Sequence, residues 1–468
     1  MRKFLLALAV GLLAASLAAP AYAADFKYTG YFRVRGITSD DMDRNKLTHD
    51  GLQYYDSLVR PRFTSTSEGG KLWGIYELDL TDGNHIFGAT GTGDQAVAVN
   101  RWLFDFAVPG TTLRMRVGRT DYTDPTNEIF DSIGVHRQDG AALYGKLFGP
   151  VDLSAFTTKL NDRAGAADAT HGASDDDNYY VALKWTVSPN IALTPWVALS
   201  RRNTDNAAAS TGYELYYLAL HAQAKVGIMD LVVQAIFESG DAAQPTAARR
   251  LAGDRDVDME AWAFMVRSWF TFGNLKLGAY LTVLTGDDDQ VTATGNTQQQ
   301  KDRRLSRFVF PTSSGYLEGP NILTGRRFST ITANQGGLAG SGNTTSNRTG
   351  TGDGRAAQLN GLIMPEILAK YQLTPTLGLE GNISFVRSHK KAPDVGATLT
   401  GAAAAATTYD NNKNFWTAFE LGFRWNIYKE LEMRAQASYL AVGDYGQVQG
   451  GVAKDDAWGI YYEFAYIW

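Results

Sequence analysis

The chain contains no cysteine, and only 13 of its 468 residues are proline. Without cysteine there is no disulfide scaffold, no cysteine-ligated zinc, no Fe–S cluster and no covalently held c-type haem. An excess of one charge is missing too. Lys and Arg number 44 against 49 Asp and Glu, a net of −5 that offers no electrostatic footprint for nucleic acid. Beyond residue 23 no apolar run approaches the ~18 residues that a spanning helix needs. A mean hydropathy of −0.23 with 12% aromatic residues fits neither a helical membrane protein nor a disordered chain.

The first 23 residues read as an export signal. Arg2 and Lys3 precede an apolar stretch from Phe4 to Ala19, and Ala21-Tyr22-Ala23 is a small-residue cleavage pattern. The expected mature chain is 24–468, and no cysteine follows the cleavage site to carry a lipid.

From there the period is two. Segment 456–468 sets Trp458, Ile460, Tyr462, Phe464, Tyr466 and Trp468 against Gly459, Tyr461, Glu463 and Ala465. Segment 98–108 sets Trp102, Phe104, Phe106 and Val108 against Arg101 and Asp105. This is strand alternation, not a helical stripe. Eighteen such segments follow one another: 25–37, 53–66, 71–81, 96–108, 111–120, 137–148, 151–161, 178–188, 191–203, 211–226, 229–239, 257–272, 275–286, 356–373, 376–388, 413–428, 431–442 and 456–468. Their connections alternate between tight, mostly Gly- or Pro-containing turns such as Gly149-Pro150 and Gly273-Asn274 and longer polar loops. The expected fold is all-β: a transmembrane antiparallel up-and-down barrel of about 18 strands, with short periplasmic turns and long extracellular loops. A soluble sandwich or propeller would also alternate, but no blade repeat of about 40–50 residues is present.

The whole of 24–468 resembles the bacterial outer-membrane porins. The most specific feature is the end, where an alternating strand closes on Trp468. It is similar to the signal read by the barrel-assembly machinery, in which Phe is commoner. Eighteen strands are similar to the alginate-export and substrate-specific porin families. Val117-Gly118-Arg119 with Arg137-Gln138-Asp139-Gly140 resembles a stretch of the alginate-export family, without implying alginate as solute. The resemblance implies a location in the outer membrane among lipid and lipopolysaccharide, and passive passage of small solutes. A monomer or a homo-oligomer is compatible with it.

At a strand spacing of ~4.8 Å and a tilt near 40°, eighteen strands enclose a cylinder roughly 36 Å across, too wide for side chains to fill. The inward faces of the first five segments carry Lys27, Arg33, Arg35, Arg60, Arg62, Arg101, Arg114 and Arg116 against Asp56, Glu77, Asp79 and Asp105. Arginine's planar fork suits carboxylate and phosphate oxygens, so this wall is the candidate pore lining. The alternative is that these arginines brace the wall by pairing with its acids. The connection 287–355 is far longer than the others. It brings Arg303, Arg304, Arg307, Arg326 and Arg327 together with apolar anchors such as Leu305 and Phe308. Its 303–331 part is expected to fold into the barrel and narrow it. An outward loop on lipopolysaccharide phosphates is the competing reading.

The leading function is a channel for small polar, anionic solutes. The alternative is a barrel sleeve around a partner such as an electron-transfer protein. No cofactor is expected. Gly91-Thr92-Gly93-Asp94-Gln95-Ala96 matches a dinucleotide fingerprint only by letters, since no helix follows. Asp175–Asp177 and Asp287–Asp289 read as solvated loop acids before they read as Ca²⁺ ligands. His221 is the only strand histidine available to an outer-membrane lipase, and no serine partner accompanies it.

Overall fold

The computed structural model describes residues 25–40, 52–80, 85–86, 97–122, 138–162, 175–202, 212–244, 257–286, 290–291, 299–300, 304–306, 308, 362–387, 389, 415–442 and 456–468. The expected signal segment lies outside the described residues, as do Arg303, Arg307, Arg326 and Arg327. Eighteen strands make the wall: β1 Asp25–Asp40, β2 Leu52–Thr66, β3 Leu72–Asp79, β4 Ala98–Ala107, β5 Leu113–Thr120, β6 Gln138–Phe148, β7 Val151–Asp162, β8 Asp175–Ser188, β9 Ile191–Arg202, β10 Gly212–Val226, β11 Met229–Gln244, β12 Val257–Phe272, β13 Leu275–Leu284, β14 Leu362–Gln372, β15 Leu377–Arg387, β16 Phe415–Asn426, β17 Leu431–Val442 and β18 Ala457–Ile467.

Each strand pairs antiparallel with the next. Pairing of β18 with β1 closes the ring, so the sheet has no free edge. A sandwich or propeller is thereby excluded. Tight turns gather at one end of the barrel and longer connections at the other. Gly227 (φ 59°) and Gly273 (φ 57°) adopt the left-handed conformation that these turns require.

The strands run past the sequence pattern mainly at three places. β1 continues to Asp40, β8 starts at Asp175, and β11 runs on to Gln244. Asp177 is therefore a strand residue and not a loop acid. It lies opposite both Lys159 and Arg201 and makes an ion pair with Lys159 (3.8 Å). Among the described residues no cluster of three acids or histidines could hold a metal.

The two faces of the wall are chemically distinct. Phe26, Leu218, Ile367 and Leu421 point outward and are exposed, forming part of a broad apolar belt. Lipid would cover this belt at a gain of about 1.5–3 kcal/mol per large side chain. On the inner face, exposure follows height. Near the long-loop end Asn178, Ser200, Leu215, Glu238 and Ala418 are buried. Near the tight turns Lys27, Lys184, Lys225, Lys276, Lys370 and Arg424 are exposed. The closing seam has its own packing. Gly30 exchanges backbone hydrogen bonds with Trp468 (N to O 3.0 Å, and 3.2 Å in return), and the indole lies over the glycine. Six residues along β1, Gly36 receives the Tyr462 ring in the same way.

Candidate functional site

On β1 to β5 the expected basic residues share one inner wall, and cross-strand register supplies each arginine with an acid. Arg35 donates from Nε to both oxygens of Asp56 (2.8 and 2.7 Å). Arg33 lies between Asp56 and Glu463, 3.8 Å from each. Arg60 donates to Asp79 (3.0 Å) and Arg62 to Glu77 (2.5 Å), while Asn100 holds the second oxygen of Glu77 (2.6 Å). Arg101 pairs with Asp121. Nearest the tight turns, Asp105 accepts from Arg114 (2.6 Å), Arg116 (3.0 Å) and Tyr144. Arg116 is clamped between the Trp73 and Tyr144 rings, 5.5 and 5.0 Å from their centroids. Lys27 stands apart, exposed at the tight-turn end.

The sequence reading set four acids against eight cations. Asp121 and Glu463 join them, so this wall is closer to neutral than expected. Exposure nevertheless separates the signs. The side chains of Asp56, Glu77 and Asp105 are at most 1% exposed, whereas those of Arg62, Arg114 and Arg116 are 38%, 28% and 27% exposed. At these three arginines the carboxylate sits behind the more exposed guanidinium, whereas Arg35 is itself only 7% exposed and Arg101 is less exposed than Asp121 (15% against 22%). These arginines brace the wall through its acids, and Arg62, Arg114 and Arg116 keep part of their surface exposed on its inner face.

The adjoining inner face went unread in the sequence. Tyr122, Phe156, Tyr180 and Trp196 form a row of rings across β5 to β9, with centroids 5.6, 4.5 and 5.5 Å apart. Leu215, Tyr217, Ile236, Met259 and Met265 continue this buried surface on β10 to β12. Phe308, from the long connection, is buried against Tyr217 (6.3 Å), and its N–H bonds Thr285 O (3.0 Å). Residues 304–305 run parallel to 258–259 of β12. One cross-strand row joins the two territories: Trp73, Asp105, Arg116, Ala142, Phe156, Tyr180, Ala198, Tyr217, Glu238 and Ala261. It begins at the tight-turn end of β3 and finishes at the long-loop end of β12. His221 lies buried on this inner face, its Nδ1 3.2 Å from Gln234 Oε1, which is not the outer rim where a lipase would meet its substrate.

A second charged group stands at the tight-turn end. Glu432 bridges Arg424 and Arg434 at a cleft of about 820 Å³ whose lining also includes Arg33 and Glu463.

No family model matches the chain, and no curated protein matches it. Solved structures do match it in fold. Pseudomonas aeruginosa OccK8 (OprE) aligns at a TM-score of 0.53 with 12% identity, over 95% of this chain and 98% of that one. Pseudomonas aeruginosa OprD aligns at 0.53 with 11% identity, over 95% of each chain. Pseudomonas aeruginosa OccK2 (OpdF), in complex with glucuronate, aligns at 0.51 with 12% identity, over 95% of this chain and 98% of that one.

Proposed function

We propose that this chain is an outer-membrane channel through which small anionic solutes diffuse passively. Its structural neighbours are substrate-specific outer-membrane porins, and the barrel carries no free edge that would need a partner sheet. The observation that carries the anionic preference is the split in exposure at Arg62, Arg114 and Arg116, which are 27–38% exposed over carboxylates at most 1% exposed. Such a wall offers planar donors to an oxyanion while its net charge stays low. In a low-dielectric cleft even a modest surplus of positive charge concentrates anions. Glucuronate, held by one neighbour, is a solute of this chemical class.

In this reading the tight turns face the periplasm and the long connections face outward. The 303–331 stretch folds inward and narrows the path, a placement supported by the burial of Phe308 against Tyr217. Burial of the inner face near the long-loop end supports a channel over a sleeve, because a partner protein would meet a wall already covered. Residues 1–23 direct export, Trp468 marks the chain for the barrel-assembly machinery, and lipopolysaccharide surrounds the outer rim. Single-channel recording of the purified protein across a salt gradient tests the reading. A reversal potential favouring anions is expected, and a cation-selective or non-conducting barrel overturns it.

A further inference from the structure

The arginines of β1 to β5 are each held by an acid, so a stronger free positive charge must be sought elsewhere on the inner face. It lies across the barrel, on β12 to β14. Lys276 and Lys370 stand directly opposite each other in register, both exposed at the tight-turn mouth. Like charges in that relation repel, and among the described residues neither lysine has a carboxylate within ion-pair distance. The acids nearest in register are Glu380, opposite Lys370, and Asp230, opposite Trp269.

Beneath the pair the wall is built to hold one ammonium in place. The Lys370 ammonium lies over the Trp269 ring, 5.0 Å from its centroid. The indole itself rests on Gly278, where a Cβ would come within 3.0 Å of its ring carbons. Its N–H donates to Tyr280 Oη (2.8 Å), and the two rings meet edge to face at 5.8 Å. Arg267 lies over the Tyr280 ring at 5.7 Å. A side chain at 278 would force the indole to give by a few tenths of an ångström, so glycine lets the ring lie flush under Lys370.

We infer that Lys276 and Lys370, organised by Trp269 over Gly278, form an oxyanion site at the tight-turn mouth that takes a carboxylate or phosphate group as it passes. A bound oxyanion relieves the repulsion between the two ammonium groups, which water alone only screens. The inference rests on the proposed anion channel and assigns it a second station, on the wall facing the arginines. Because the mouth is wet, the attraction must weaken as salt rises.

The test is a pair of double variants, Lys276→Gln/Lys370→Gln and Lys276→Arg/Lys370→Arg, each confirmed as folded by heat-modifiable migration. Reversal potentials are measured with sodium acetate and, separately, sodium phosphate. At 0.1 M salt the Gln variant should lose about fourfold in anion-over-sodium permeability, shrinking toward none at 1 M, while the Arg variant keeps the wild-type ratio. A larger loss with phosphate assigns the site to phosphate groups, and a larger loss with acetate to carboxylates. An anion-selective wild type with an unchanged Gln variant overturns this inference and leaves the channel reading standing. A wild type with no anion preference overturns both.

Discussion

Substituting Gly30→Ala puts the closing seam to a quantitative test. Gly30 is extended, not left-handed, so alanine fits its backbone. In an ordinary strand the change would gain about 0.5–1 kcal/mol, because glycine loses more freedom on folding. Here the new Cβ falls within the Trp468 indole, which must swing away. Overpacking of this kind costs about 1–3 kcal/mol, and the displaced ring also leaves its neighbours Tyr28 (6.3 Å) and Tyr466 (5.9 Å). The steric cost exceeds the entropic gain, so the expected net loss is about 1–2 kcal/mol. Urea unfolding of the vesicle-embedded barrel, followed by the heat at which gel migration changes, measures it. A double-mutant cycle with Trp468→Phe should show coupling of at least about 0.5 kcal/mol. A Gly30→Ala barrel as stable as wild type, or more so, refutes the argument that the indole closes the seam.

Three further outcomes are expected. Deleting Trp468 should leave a protein that is exported but unassembled, read as loss of heat-modifiable migration. Removing residues 300–335 should raise conductance and weaken anion preference together; if both stay at wild-type values, the long connection lies outside the path. Asp105→Asn strips the charge that Arg114, Arg116 and Tyr144 share, and should destabilise the barrel by about 3 kcal/mol in the same urea assay.

The architecture was legible because period two and tight turns are local signals, and the eighteen alternating segments can be read without knowledge of their partners. What pairs with what was not. That Arg35 meets Asp56, or that Arg101 meets Asp121 beyond the end of β5, depends on register and chain path, which a single sequence does not print. The buried inner face on β10 and β12 hid for a different reason. Stretches such as Leu215-Tyr216-Tyr217-Leu218 and Ala261-Trp262-Ala263-Phe264 are apolar on both faces, which blurs the alternation. That blur was itself the usable signal: one face meets lipid, so the other must meet protein. Asp175–Asp177 misled because three acids in a row read as solvent-facing loop, whereas Lys159 and Arg201 on the flanking strands balance Asp177.

In the proposed channel, the gradient in burial along the inner face would also set the electrical profile. A conducting path behaves as resistors in series, and a transmembrane voltage drops where the cross-section is least. In the proposed channel that segment would be the long-loop half, where Tyr180, Trp196, Tyr217 and Phe308 are buried, while Lys276 and Lys370 are exposed at the tight-turn mouth. An ion held at the proposed lysine pair would therefore sit almost at the potential of the bath beside it. Its occupancy will answer to concentration and ionic strength, whereas any block within the narrow half will answer to voltage.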